Sequence, residues 1–189
     1  MRNKFFYEGK TGIARTKGFE HKLLAEYSVN IGNICEFDCT YCYVPSVTMK
    51  QKSVKNIMDQ GFQIGEFSSS REMDNVLSTV TKDLKKIKPD DHSTVFFCTT
   101  CDPCGNMTQK DISREAIKLI MENSNLNVRV LSKSVLVKKL AEELDEYKDR
   151  IKYSLSTGTV LDEIAKTVEK YTSPIKPRIE ALHWLQDNG

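Results

Sequence analysis

The sequence contains no apolar run approaching the ~20 residues of a membrane span, so it offers no candidate transmembrane helix. It also lacks an excess of charge of either sign. At a formal net charge of +2, composition makes no electrostatic case for nucleic acid or a membrane surface. The basic start "MRNKFFYEGKTG" has no apolar stretch behind it, so no secretory signal is visible. Internal repeats and low-complexity segments are missing, which gives no sign of a solenoid or a tail. The lysine cluster "KDLKKIKPDD" reads as a solvated helix end. These absences point to a cytoplasmic protein. Its 189 residues suit one domain with a real core and are short for two, and 39% hydrophobic with 29% charged residues is ordinary for a globular chain.

Cysteine, by contrast, is plentiful and bunched. Cys35, Cys39 and Cys42 fall within eight residues in "NICEFDCTYCYVP", and Cys98, Cys101 and Cys104 follow in "CTTCDPC". Disulfides usually tie distant segments in exported proteins. Tight clusters in a chain without an export signal are more often metal-binding or redox-active.

Hydrophobic periodicity alternates between two types of element. Strands are predicted over 26–32, 93–98, 127–134 and 151–157, from short alternating or β-branched apolar runs. Helices are predicted over 70–87, 108–123, 135–147, 161–170 and 175–189. Strand–helix alternation implies parallel pairing with right-handed crossovers. The expected fold is therefore α/β, a parallel βα-repeat of about four strands with outer helices, forming an open sheet or a partial (β/α) barrel. We expect a single domain over 1–189, with residues 1–26 as an N-terminal extension and 27–189 as the βα units. In such folds chemistry sits at the C-terminal ends of the strands. The unusual residues fall there: the first cysteine group after strand one, "CTTCDPC" after strand two, "LSKS" closing strand three and "SLSTGT" closing strand four.

Thiolates favour zinc, copper(I) and iron–sulfur clusters. A structural zinc site wants four protein ligands in close pairs. Cys39 and Cys42 could form one pair and Cys98 with Cys101, or Cys101 with Cys104, the other, but this leaves Cys35 out. A non-catalytic zinc-binding interaction module on Cys39, Cys42, Cys98 and Cys101 is the alternative function. An open zinc site on Cys35, Cys39 and Cys42 is less suitable, because catalytic zinc seldom uses three cysteines alone. A [4Fe–4S] cluster usually takes four thiolates. Three would leave one iron open to an exogenous ligand.

The CxxxCxxC spacing, with Tyr41 before the last cysteine and directly after a first strand, resembles the signature of the radical S-adenosylmethionine enzymes. The segments "KTGIARTKGFEHKLL", "YSVNIGNICEFDCTYCYVP", "TCDP", "VRVLSKS", "YSLST" and "PRIEALHWLQDNG" are similar, in that order, to the spore photoproduct lyase-like branch of that superfamily. The resemblance implies that Cys35, Cys39 and Cys42 hold a [4Fe–4S] cluster whose open iron binds S-adenosylmethionine. Reductive cleavage of that cofactor would give a 5′-deoxyadenosyl radical for hydrogen abstraction from an unknown substrate, nucleic-acid repair being one class by analogy. The same resemblance makes Tyr41, Thr100, Asp102, Ser132, Lys133, Ser154 and Ser156 cofactor-binding candidates, with Lys133 facing the methionyl carboxylate. It assigns a lyase-like return of hydrogen to Cys98 and Tyr43, with Cys101 an equal rival to Cys98. A reducing donor of flavodoxin or ferredoxin type is implied as a partner, and no membrane.

Two departures stand out. Cys104 and Gly105 replace an aromatic residue and Gln, so that Cys98, Cys101 and Cys104 could instead hold a second metal centre. The chain also stops one strand short of the branch's usual continuation. That leads us to expect an unpaired edge on strand four, and a truncated or split product, or one completed by self-association or a second chain.

Overall fold

The computed structural model describes residues 7–33, 35–48, 59 and 71–188. Residues 1–6 of the segment tested for a secretory signal, Ile34 in the first cysteine loop, Ser70 at the start of a predicted helix, and Gly189 lie outside the described residues. The elements run β1 (Ala14–Arg15), α1 (Lys17–Glu20), β2 (Tyr27–Val29), α2 (Val44–Thr48), α3 (Met73–Leu84), β3 (Thr94–Phe97), α4 (Met107–Asn123), β4 (Asn127–Ser132), α5 (Leu136–Glu143), a 3₁₀ turn (Asp145–Arg150), β5 (Ile151–Leu155), α6 (Asp162–Val168) and α7 (Ile175–Asn188). No helix among the described residues is long and apolar enough to cross a membrane.

One sheet carries the strands in the order β1-β2-β3-β4-β5. The four expected strands pair in parallel, with Val29 opposite Phe97, Phe97 opposite Val130 and Ser132 opposite Leu155. The predicted strands are longer than the observed ones at their C-terminal ends, because the chain leaves the sheet there to build loops. Strand β1 was not anticipated. Two residues are too short for a periodicity signal, yet they pair antiparallel with β2 and bring part of the expected N-terminal extension into the sheet. Among the described residues β5 pairs on one side only, so the sheet is open and not a closed barrel.

Side chains alternate across the sheet, and one face is mostly apolar until Ser132 at the end of β4. Tyr27, Val29, Val95, Phe97, Val128 and Val130 point into a single core. Helix α3 meets them with Val76, Val80 and Leu84, and α4 with Ile112, Ala116, Ile117 and Ile120, both at helical spacing. The opposite face carries Ser28, Phe96, Arg129 and Lys152 in one registered row. Phe19 of α1 packs on Phe96 there, ring centroids 4.9 Å apart.

Side-chain capping fixes both ends of α4. Asn106 accepts a hydrogen bond from the Gln109 amide at 3.0 Å and starts α4. The predicted 135–147 helix instead stops at Glu143 and continues as the 3₁₀ turn. That turn delivers Arg150, whose guanidinium donates to the carbonyls of Met121 and Ser124 at the end of α4. Lys110, buried on α4, pairs with Glu143 at the end of α5.

The N-terminal segment is clamped onto α3. Asp83 accepts from the amides of Gly12 at 2.8 Å and Ile13 at 3.3 Å. A Cβ on Gly12 would lie on the Thr79–Val80 backbone, so only glycine permits this approach. Arg71 completes the clamp, donating to the carbonyls of Thr11 and Asn30 and to the Thr79 hydroxyl. Burial would raise the Asp83 carboxyl, but hydrogen bonds from Lys86 and from the Gly12 and Ile13 amides outweigh it and hold the group below its ordinary value of 3.8.

A carboxyl depressed in the fold stabilises it above the unfolded value and loses that contribution as pH falls through the folded one. Asp83→Ala should therefore lower unfolding free energy at pH 7 by about 1–3 kcal/mol, the cost of leaving buried amides unpaired. It should also flatten the acid limb of stability below about pH 4, both read from urea titrations across pH. Ile117→Ala, which opens a cavity under the sheet, should cost about 2–5 kcal/mol at every pH.

Candidate functional site: the C-terminal edge of the sheet

Parallel strands in step place their C-terminal ends along one edge, and the sequence-predicted residues gather there. The first cysteine loop leaves β2 and turns at Asp38, which adopts a left-handed conformation (φ 45°). Asp tolerates this region better than most residues. The Cys42 amide then donates to the Cys39 carbonyl at 2.9 Å, folding the last two cysteines into a tight turn. Cys35, Cys39 and Cys42 are all half-buried and free of disulfides. Burial pushes the Cys35 and Cys39 thiols up, Cys39 to about 11 with Lys133 opposing the rise.

The second cysteine group is different in kind. Cys98, Cys101 and Cys104 are buried in the core, Cys104 completely. A hydrogen bond with Cys98 and burial together push the Cys101 thiol well above the ordinary range. Among the described residues no three His, Cys, Asp or Glu side chains stand close enough to hold one metal ion. The four-cysteine zinc site is therefore not supported. Thiolates around a cubane cluster sit on different irons and need not converge on one point.

Loops at the edge are tied together by buried polar groups. Asn30 accepts from the amides of Thr99 and Thr100 at 2.7 and 3.1 Å, and Thr100 Oγ1 donates to the Gly32 carbonyl at 2.6 Å. Asp102 is buried, and its carboxylate accepts from the Cys104 amide, the Ser132 hydroxyl and the Lys133 amide at 2.7–2.8 Å. Burial nevertheless raises this carboxyl above its ordinary value. Asp102 thus acts from behind, setting the end of β4 that delivers Lys133. Tyr43 donates to the Thr99 carbonyl at 3.2 Å, which puts its ring next to the residue after Cys98.

Lys133, Ser156 and Tyr41 meet at the centre. The Lys133 ammonium donates to Ser156 Oγ at 3.0 Å and lies 5.4 Å from the centre of the Tyr41 ring. Tyr41 remains 52% exposed. The Gly158 backbone packs against that ring, where a Cβ would come within 3.1 Å of it. Ser154 lies two residues before Ser156 on β5, opposite Leu131.

The residue that sequence reasoning missed is Glu169. Its side chain is fully buried, and Oε1 accepts from Lys133 Nζ at 2.7 Å, the Gly158 amide at 2.9 Å and the Tyr41 hydroxyl. Arg178 of α7 places Nη1 2.7 Å from Oε2 without hydrogen-bond alignment, and also donates to the Ser156 carbonyl at 3.0 Å. Burial would raise this carboxyl, but hydrogen bonds from Lys133, Tyr41 and Gly158, with the Arg178 guanidinium beside it, overcome it and hold the group at about 2. Glu169 is also joined to Cys39 by a backbone bridge, and the Thr40 amide donates to the Val168 carbonyl at 2.9 Å. Its place in "TVEKYTS" gives no local signal, since a glutamate at a helix end reads as solvated.

A family model described as the Radical SAM superfamily matches residues 29–189. The chain belongs to the radical SAM superfamily. A search of curated proteins finds no match. Among solved structures, this radical SAM chain is similar to spore photoproduct lyase complexed with dinucleoside spore photoproduct, at 17% identity and a TM-score of 0.66. It is equally similar to a mutant of that enzyme with bound AdoMet and the same dinucleoside, and to another mutant with the dinucleoside at 16% identity and a TM-score of 0.65. The alignments cover 94% of this chain but 45% of those structures. The chain therefore spans less than half the length of the structures it matches, and at this identity the likeness shows the shared fold.

Removing the Asp102 carboxylate strands three buried donors. Asp102→Ala should lower stability by at least about 2 kcal/mol, measured by urea denaturation of the cluster-free protein.

Proposed function

We propose that this chain is the cofactor-binding portion of a radical S-adenosylmethionine enzyme. One observation carries the reading. The loop of three half-buried cysteines shares a strand-end edge with the Lys133–Ser156 pair, and Tyr41 bridges them. The donor set fits a [4Fe–4S] cluster: three soft thiolates on one short loop satisfy three irons and leave a fourth position for a ligand that the protein does not supply. Cys35, Cys39 and Cys42 are the residues that would hold it.

When bound, the cluster and S-adenosylmethionine together supply a 5′-deoxyadenosyl radical, formed by one-electron cleavage of the sulfonium C–S bond. The protein's part is to bind, orient and exclude side reactions. Lys133 and Ser156 would donate to the methionyl carboxylate, a charge-assisted pairing stronger than a neutral one. The half-exposed Tyr41 ring would offer its face to the adenine. Ser132 and Asp102 hold the Lys133 backbone, and Thr100 holds the loop after β3. Ser154 would face the same ligand from β5. Cys98 would donate its thiol hydrogen to a substrate carbon radical, leaving a thiyl to which the Tyr43 phenol would pass its own hydrogen atom, moving the radical onto the tyrosine; Cys101, hydrogen-bonded behind Cys98, is the rival donor.

Spore photoproduct lyase, the fold neighbour, is known complexed with dinucleoside spore photoproduct. By analogy we propose a nucleic-acid substrate for the whole protein to which this site belongs. An electron donor of flavodoxin or ferredoxin type would reduce the cluster.

Anaerobic purification tests the reading. The protein should be brown, contain about four irons per chain and cleave S-adenosylmethionine to methionine and 5′-deoxyadenosine on reduction. Cys39→Ala should abolish colour, iron and cleavage together. A colourless wild type holding one tight zinc would overturn the proposal.

A further inference from the structure

A single carboxylate gathers donors from four separate parts of the site. Glu169 takes the Lys133 ammonium from the end of β4, the Gly158 amide from beyond β5, the Tyr41 phenol from the cysteine loop and the Arg178 guanidinium from α7. Its own backbone pairs with Cys39. A buried ion pair is weak evidence for stability, since apolar side chains of similar volume often hold a core as well. An apolar side chain at this position could not give direction to a flexible lysine. Lys133 has a long stem with many rotamers, and fixing its ammonium between Glu169 Oε1 and Ser156 Oγ removes that freedom before any ligand arrives.

We propose that Glu169 is a positioning residue that couples the cysteine loop to Lys133. Its carboxylate aims the ammonium at the Ser156 side of the site. Through Tyr41 and the Cys39 bridge, it holds the loop in register with that ammonium. Arg178 supports the carboxylate from behind and keeps its charge balanced. The inference rests on the proposed cofactor site for the identity of the ligand, but the coupling itself rests only on the contacts of Glu169. The loop cysteines and the anion-receiving lysine thus form one unit, assembled before the cofactors bind.

Two measurements on the full chain test it, and they fail separately. The first is amide hydrogen exchange of the cluster-free protein. In Glu169→Gln the amides of residues 38–43, Thr40 above all, should exchange at least about tenfold faster while those of β3 and β4 stay as in the wild type. Should that variant not fold, Tyr41→Phe, which removes only the phenol's hydrogen bond, should show the same local loosening. Unchanged exchange overturns the proposal.

The second is the affinity of the cluster-loaded protein for S-adenosylmethionine by calorimetry. Glu169→Gln and Lys133→Met should each weaken binding about tenfold or more, as loss of outer-shell partners does. The double variant should be no weaker than Lys133→Met alone, because Glu169 acts through Lys133. Losses that add would reduce Glu169 to a structural residue and overturn the proposal. A loaded wild type that fails to bind S-adenosylmethionine would overturn the proposed function instead, and the exchange result would still decide the coupling.

Discussion

Parallel pairing in step is the constraint on which the rest depends. Four strands that begin near one level also end near one level, so Asn30, Cys98, Ser132 and Ser156 come out along a single edge. Backbone groups that leave the ladder there still need partners, and the loops supply them. Asn30 serves the Thr99 and Thr100 amides, and Asp102 serves Cys104 and Lys133. The polar edge is thus first a solution to backbone satisfaction. The Lys133 and Ser156 side chains stand on that solution.

Buried charge at this edge is organised in two tiers. Asp102 lies deep, has backbone and hydroxyl donors but, among the described residues, no direct salt bridge, and its carboxyl is raised by burial. Glu169 has direct cationic partners in Lys133 and Arg178 and is driven strongly the other way. Two carboxylates in one small region therefore have opposite environments: among the described residues Glu169 is in direct contact with cations that offset desolvation, whereas Asp102 feels the Lys133 charge only from a distance. The same contrast separates the two cysteine groups. The first is half-buried on a loop beside Lys133, while the second is packed into the core behind β3.

Much of the architecture was legible because it repeats. Apolar residues at spacing two and spacing 3.6 marked the four parallel strands and the large helices, and the resemblance of "CEFDCTYC" indicated the superfamily. What escaped were short or conditional elements. Strand β1 has two residues, and α1 and α2 have four and five, too few to carry a period. The break at Leu144 was invisible because helix periodicity runs on past it. Only the packing of Arg150 against the end of α4 gives the 3₁₀ turn its purpose.

The site shows the same division. Local spacing alone pointed to three soft ligands and left zinc and iron–sulfur readings open, because thiolate chemistry is carried by residue type and short-range separation; the vacant fourth position came with the resemblance to the radical S-adenosylmethionine enzymes. The strand-end rule put "LSKS" and "SLSTGT" along one edge, given the βα pattern, and the resemblance singled out Lys133 and Ser156 within them. The sequence by itself therefore determined the residue types available and the end of the sheet where they would collect. Only the tertiary structure decided that Glu169, 130 positions after Cys39, would pair with it, and that Asp102 would support the site from behind. A carboxylate's role depends on which donors surround it and how much water is excluded, and those are properties of the folded packing.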